Sequence, residues 1–426
     1  MLAVAQNEMI TQTGPGTPMG EVFRRYWQPV ALSAEIAKPG GKPLQVRVLS
    51  EDLVLFRDDY GRPGLLGLRC SHRLTSLAYG RVEDGGIRCA FHGWLYDIDG
   101  RCLQQPGEPE ESSFKDKIRH PSYPCRELGG LVFAYMGPPG TQPPLPPFEC
   151  LVRGDGSRNT DYYPINSNYL QNVEGALDPI HSTYLHMARW SEVKHQVLAQ
   201  PQLEVSLQET EYGVWRRSWR DPALIRPGSI PYSATVYSYG HFFMPDGFMA
   251  IRRMSLRAFG HVPSGGQDKV AVQKTQSWYV PIDDEHCRRY LASFVNHSVT
   301  GGAPIDYSKP KEAYVAPGPE NDYGRDYDGV DTISGIPFGG AKLRTGDGSA
   351  GGLLFQDTMV NETQGPIADR SLEHLGVGDR LLIMVRKQLQ RAVDDVSNGR
   401  DPQFSRPEPD DEGLVRVCGN DEMEST

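Results

Sequence analysis

From Leu44 the chain alternates, with Leu44, Val46 and Val48 on one face, the period of a half-buried strand. An apolar run, Leu53–Phe56, follows, then the turn signal Asp58-Asp59-Tyr60-Gly61-Arg62-Pro63-Gly64 and a second run, Leu65–Leu68. Asp97–Gly100 and Leu128–Gly130 mark further turns, and Leu131–Met136 reads as another strand. Short runs separated by turns predict a compact all-β domain over 44–147, with the proline-rich stretch Pro138–Pro147 as its exit. Ahead of it, residues 1–43 hold the apolar-aromatic stretch Phe23–Trp27, expected to form a helix packed on the body.

The pattern changes after residue 148. Tyr237, Tyr239, Phe242, Phe243 and Phe248 lie close together, as residues of sheet strands do, and Trp278–Ile282 and Tyr290–Val295 read as two more strands. Arg370–Ser397 is expected to be helical, with Leu372, Leu375, Leu382, Val385 and Leu389 near helical spacing. Residues 148–400 therefore predict a second domain with an antiparallel sheet flanked by helices, and the whole chain an α+β fold. Residues 300–352, rich in Gly, Pro and Asp, read as a lid, an intersubunit arm or disordered chain. The acidic tail 401–426 is expected to carry little structure. No internal repeat is visible.

Composition narrows the class. The chain has 426 residues, 38% of them hydrophobic, enough for two or three domains with real cores. A net charge of −10 argues against nucleic acid as a partner. No run of eighteen apolar residues predicts a membrane span, and Met1–Thr13 lacks the basic flank and apolar centre of a signal peptide. Seven cysteines, of which Cys102, Cys125, Cys150, Cys287 and Cys418 form no spaced set, fit a reducing cytoplasm.

Two cysteines stand apart. Cys70-Ser71-His72 and Cys89-Ala90-Phe91-His92 supply two thiolates and two imidazoles as C-x-H and C-x2-H pairs. That is the ligand set of a Rieske [2Fe–2S] cluster. The rival is structural zinc, but zinc motifs usually keep Cys with Cys, whereas here each tight loop carries one of each. Farther on, Asp178-Pro179-Ile180-His181 continues to His186 as D-x2-H-x4-H. Two neutral imidazoles suit Fe(II), with a carboxylate from elsewhere completing a facial triad. On a regular helix the spacing i, i+5 sets the two histidines about 140° apart, so a distorted turn must bring them together. The bland alternative is two ordinary helical histidines. Asp178, followed by Pro179, also has the place of a helix cap.

Together these motifs resemble the Rieske non-haem iron oxygenases, and Leu353–Arg370 resembles the Q-D-x4-E-x2-G-P-I-x-D-R stretch of the phthalate-dioxygenase and aromatic acid O-demethylase type. The resemblance runs from about residue 15 to about residue 400. It implies that Cys70 and Cys89 hold one cluster iron and His72 and His92 the other. It gives His181, His186 and Asp357 the mononuclear Fe(II), with Glu362 and Asp369 as fallback carboxylates and a plain helix cap as the bland reading of Asp357. It makes Asp178 a bridging carboxylate between a cluster His and an iron His. It further implies a homotrimer in which the cluster of one subunit meets the iron of the next. Electrons come from NAD(P)H through a reductase or ferredoxin, and dioxygen is the co-substrate. The substrate it implies is an aromatic carboxylate, either O-demethylated, as for a methoxylated biaryl acid like dehydrodivanillate, or ring-hydroxylated, as for a phthalate-like acid. Arg216, Arg217, Arg252 and Arg253 are the candidate cations for such a carboxylate. One departure is Leu74-Thr75-Ser76, where many relatives carry G-A-S or G-x-P. A Rieske electron carrier with a degenerate second domain and a zinc-stabilised binding protein remain as other classes.

Overall fold

The computed structural model describes residues 2–181, 185, 204–219, 237–255, 270–297, 318–324 and 352–417. The chain opens with helices α1 (Val4–Thr11) and α2 (Pro18–Phe23). α2 is capped by Thr17, whose hydroxyl accepts from the Gly20 amide, and has Pro18 at its first position. The helix expected over Phe23–Trp27 ends at Phe23, and Trp27 instead begins strand β1 (Trp27–Leu32). The aromatic residues there are buried as expected, but Phe23 closes α2, Tyr26 lies in the turn, and Trp27 opens a strand that pairs with Tyr135, over a hundred residues away.

Eleven short strands make three small antiparallel sheets. They are β1, β2 (Leu44–Val48), β3 (Glu51–Arg57), β4 (Pro63–Gly67), β5 (Arg81–Glu83), β6 (Gly86–Arg88), β7 (Leu95–Asp97), β8 (Cys102–Gln104), β9 (Ser122–Tyr123), β10 (Cys125–Leu128) and β11 (Leu131–Tyr135). The orders are β1-β11-β10, β2-β3-β4-β9 and β5-β6-β7-β8. In β2, Val46 and Val48 are buried while Gln45 and Arg47 are exposed, as the alternation predicts. β3 and β4 are buried on both faces, and that explains their unbroken apolar runs. Leu53, Leu55 and Leu65 face the main core of the molecule. Val54, Phe56 and Leu66 face a second, smaller core with Leu68, Leu77, Ile87, Trp94 and Tyr96. That second core includes Cys70 and Cys89.

After the short helix α3 (Glu149–Val152) comes β12 (Gly156–Ile165) and helix α4 (Tyr169–Leu177). Strands β13 (Glu204–Glu209), β14 (Gly213–Trp219), β15 (Tyr237–Phe243), β16 (Gly247–Ser255), β17 (Val270–Pro281) and β18 (Cys287–Asn296) join β12 in a seven-stranded antiparallel sheet, ordered β12-β18-β17-β16-β15-β14-β13. Helices α5 (Gly352–Glu362) and α6 (Arg380–Ser397) complete the body. The observed architecture is the α+β arrangement expected. The two halves meet at hairpin tips: the amides of Leu49 and Ser50, between β2 and β3, donate to the carbonyls of Pro281 and Ile282, both at 2.9 Å.

Two segments depart from expectation. The helical spacing read from Arg370 holds only from Arg380, and Leu372 is 71% exposed. Arg370 is instead fully buried, where its guanidinium meets Glu174 Oε2 at 2.8 Å, while Arg386 of α6 meets Glu174 Oε1 at 2.5 Å. Burial raises the Glu174 carboxyl, but Arg370 and Arg386 outweigh it and hold the group below its usual range. The ion pair thus ties α4 to α6 and overrides the periodicity of 370–379. The described part of the tail, 401–417, is also more ordered than its composition suggests. Val415 and Val417 are buried, the Val415 amide donates to Pro147 at 2.9 Å, and Tyr26 donates to the Gln403 carbonyl. Residues 300–317 and 325–351 lie outside the described residues.

Candidate active site

The two Cys/His pairs sit on loops of the same shape. In the first, the Cys70 amide donates to Thr75 O at 2.9 Å and the Leu74 amide to Cys70 O at 2.9 Å. In the second, Cys89 donates to Trp94 O at 2.9 Å and Gly93 to Cys89 O at 3.1 Å. Both loops turn through a left-handed residue, Leu74 at φ 63° and Gly93 at φ 75°. Glycine adopts that conformation freely, whereas a leucine there costs roughly 1–2 kcal/mol. The departure at Leu74 is therefore a strained, 67% exposed side chain at the loop tip.

These loops place the sulfurs inside and the imidazoles outside. Cys70 and Cys89 are 1% and 3% exposed, while His72 and His92 face solvent with ring centroids 4.5 Å apart. His72 also stacks flat on Trp94, at 4.5 Å and 5°. Burial raises the Cys70 thiol above its usual value, and hydrogen bonds from Tyr96 and the His72 backbone offset only part of that rise. Tyr96 Oη lies 3.2 Å from Cys70 Sγ, and burial holds its phenol above the ordinary range, so it remains a donor. Behind it, His120 Nε2 donates to Gly67 O at 2.7 Å and Nδ1 accepts from Ser71 Oγ at 2.8 Å. Burial lowers the His120 pKa and keeps the ring neutral. Two buried, adjacent thiols and two exposed imidazoles in contact fit a [2Fe–2S] cluster held by its two irons in unlike settings. Neither Tyr96 nor His120 carried a local sequence signal, because their partners lie in other loops.

The second constellation begins where α4 ends. Asp178 is the C-cap of α4, its amide bonded to Glu174 O at 3.0 Å. Its carboxylate also starts the next turn, accepting from the amides of Ile180 at 2.7 Å and His181 at 3.1 Å. Asp178 thus caps the end of α4 with its backbone and the following turn with its side chain. His181 then stands between two carboxylates: Nδ1 is 3.7 Å from Asp178 Oδ2, and Nε2 is 3.5 Å from Asp357 Oδ1. Asp357 is the sixth residue of α5, so it presents its side chain from mid-helix rather than capping one. Two ligands about 2.1 Å from one ion, at right angles, stand about 3 Å apart, so His181 and Asp357 fit a shared metal. His186 lies outside the described residues. The fallback carboxylates are engaged elsewhere, Glu362 with the Asn166 amide and Tyr323 and Asp369 with Ser371.

Of the arginine pairs, β14 turns Arg216 inward, 6% exposed, and leaves Arg217 half-buried. Gly240, its cross-strand neighbour, makes the room: a Cβ there would come within 2.8 Å of Arg216 Nε. The side chains of Arg252 and Arg253 lie outside the described residues.

The description of a Rieske [2Fe–2S] domain matches residues 26–124. The chain is 33% identical over 408 residues to phenoxybenzoate dioxygenase subunit alpha of Ectopseudomonas oleovorans, covering 92% of this chain and 86% of that one. The chain belongs to the Rieske oxygenases. It is also 32% identical over 412 residues to the 5,5'-dehydrodivanillate O-demethylase oxygenase subunit of a Sphingobium species, covering 95% of this chain and 83% of that one. NdmA of Pseudomonas putida CBB5, solved with caffeine, shares the fold at TM-score 0.64 and 17% identity, over 91% of this chain and 96% of that one. Dicamba monooxygenase bound to dicamba does so at TM-score 0.61 and 18% identity, over 88% and 99%. Oxygenase subunits matched along nearly the whole chain set aside the electron-carrier and zinc-protein readings. As a Rieske oxygenase the chain works with a [2Fe–2S] cluster, a mononuclear iron and dioxygen. No helix among the described residues is long and apolar enough to cross a membrane.

A Tyr96→Phe variant is expected to keep its cluster and lower the reduction potential by tens of millivolts. A donor to a cluster sulfur favours the reduced, more negative state, by on the order of 1 kcal/mol in differential terms. Redox titration followed by electron spin resonance measures the shift, and an unchanged potential would remove Tyr96 from the groups that set it.

Proposed function

We propose that this oxygenase removes a methyl group from a methoxylated aromatic carboxylate, using electrons from NAD(P)H delivered by a reductase or ferredoxin. The observation that carries the carboxylate is Arg216, a buried cation on the catalytic sheet. The O-demethylase named above, 32% identical, supports the reaction type. In this reading Cys70, Cys89, His72 and His92 hold the cluster, and His181, His186 and Asp357 hold the iron. The bound metals supply electron relay and dioxygen activation. The protein does the rest. Asp178 fixes the His181 turn and its imidazole, Arg216 sets the substrate's orientation through its carboxylate, and the surrounding core keeps water away. One oxygen atom enters a methyl C–H, the other leaves as water with the two electrons of NAD(P)H, and the resulting hemiacetal collapses to a phenol and formaldehyde.

Electron entry needs a second subunit in this reading. His72 and His92 stand at an exposed tip beside Leu74 and Phe91, which are 67% and 55% exposed. We place that tip against Asp178 of a neighbouring copy in a ring of three. The four described cysteines outside the cluster, Cys102, Cys125, Cys150 and Cys287, are buried and unbridged, which supports a reducing cytoplasm as its location.

The test is incubation with methoxylated and unmethoxylated aromatic acids and a surrogate reductase. Formaldehyde is expected in step with NAD(P)H consumed, and an Arg216→Gln variant should raise KM about 10- to 100-fold, the worth of a charge-assisted hydrogen bond. A dihydrodiol without formaldehyde would overturn the reading in favour of ring cis-dihydroxylation, the chemistry of a phthalate 4,5-dioxygenase, whose oxygenase subunit from Pseudomonas putida is 31% identical over 418 residues, covering 92% of this chain and 86% of that one.

A further inference from the structure

We propose that the contact between Asn172 and Gly175 of α4 and Asn361 of α5 sets the separation of His181 and Asp357, which makes these three positioning residues for the mononuclear iron. The inference rests on the reading of His181 and Asp357 as ligands to one iron.

The two helices run antiparallel and close. Asn361 Nδ2 donates to Asn172 Oδ1 at 3.1 Å, and Asn172 Nδ2 in turn donates to Ser167 Oγ at 2.8 Å and Asn168 O at 2.9 Å. Gln171 Nε2 donates to the carbonyls of Asn361 at 2.7 Å and Gly365 at 2.9 Å, and its Oε1 accepts from the Ala368 amide at 2.9 Å. The chain that follows α5 thus wraps the first turns of α4. Asn172, Gln171 and Asn361 are all buried, and the bonds from Asn361 to Asn172 and from Gln171 to the chain around Asn361 make the seam.

Glycine in a helix interior is unfavourable unless space demands it. At Gly175 space demands it: a Cβ would stand 2.8 Å from Asn361 Oδ1 and 3.0 Å from its Nδ2. Asn172 and Gly175 are i, i+3 on α4, and Asp178 continues the same face. Asn361 and Asp357 are i, i+4 on α5. The seam therefore leads straight to the ligand pair, with Asp357 about 6 Å along the helix from Asn361. Metal ligands tolerate displacements of only about 0.2 Å. Pushing the seam open by a few tenths of an ångström is enough to spoil the site.

The experiment measures Fe(II) affinity anaerobically by competition with a chromophoric chelator, with the cluster's electron spin resonance as an internal control. Gly175→Ala is expected to weaken Fe(II) binding about 10- to 100-fold with the cluster signal unchanged. Adding Asn361→Ser, which vacates the space the new methyl needs, should recover part of that loss. A merely structural seam would lower the melting temperature and leave Fe(II) affinity, measured well below it, as in the parent. That result in Gly175→Ala, or a double variant weaker than the two singles combined, overturns the proposal. Should Gly175→Ala not fold, Asn361→Ser alone decides, with about tenfold weaker binding expected and parental affinity overturning the proposal. His181→Ala separates the two ideas: if it keeps parental Fe(II) affinity, the ligand assignment fails, whatever the seam does.

Discussion

A His181→Ala variant is expected to keep the colour and spin-resonance signal of its cluster while losing its mononuclear iron and at least about a thousandfold of its turnover. Losing an outer-shell partner of a metal ligand already costs about 10- to 100-fold, and losing the ligand itself costs more. The geometry says why the damage stays local. His181 Nε2 is the nitrogen that faces Asp357, at 3.5 Å, so its removal leaves the carboxylate without its imidazole partner there. The cluster loops rest on a separate small core, built on Val54, Phe56, Leu66, Leu77 and Ile87, which shares no residue with the core around α4. Iron per chain should fall from about three to about two. Metal analysis beside the cluster spectrum checks both halves. Full occupancy in the variant would move the site. Full occupancy in Asp357→Ala would shift the carboxylate ligand to Glu362 or Asp369, both of which would first have to leave the hydrogen bonds they make.

The second large effect is kinetic. Asp178→Asn is expected to bind both metals and yet slow electron transfer between cluster and iron at least about 100-fold. Asparagine keeps one side-chain oxygen, so the turn that begins at Ile180 survives with one of its two capping bonds, a loss of about 1 kcal/mol. What it loses is charge and an acceptor. The carboxylate lies 3.7 Å from His181 Nδ1, and it is one-third exposed, so it can also meet an imidazole from another subunit. A neutral amide neither stabilises a charged imidazole nor offers two equivalent acceptors. Single-turnover oxidation of a pre-reduced cluster, with substrate bound, measures the step. A parental rate would reduce Asp178 to a cap.

Local motifs were readable because each is closed within one turn of chain. The Cys70/His72 and Cys89/His92 pairs each occupy a single loop, closed by that loop's own backbone hydrogen bonds. Asp178 and His181 are likewise joined by a three-residue turn. Strand alternation in β2 and the doubly buried runs of β3 and β4 follow from side-chain period alone. Asp357 was reached chiefly by resemblance, its one local sign being the apolar run Leu353–Phe355 ahead of it.

Tertiary structure decided everything that depends on distant partners. Tyr96 touches Cys70, and His120 touches Ser71 and Gly67, across the fold rather than along it. Leucine spacing read 370–379 as helix, yet Arg370 is drawn inward because the buried charge of Glu174 must be paired, and an unpaired buried carboxylate costs more than a lost turn of helix gains. Trp27 becomes a strand residue only because Tyr135 lies opposite it, and Val415 is buried only because Phe148 and Pro147 receive it. Sequence patterns fix what a residue can do within its own turn or pleat. Which distant surface it meets is set by packing and charge pairing, and these exist only once the chain has folded.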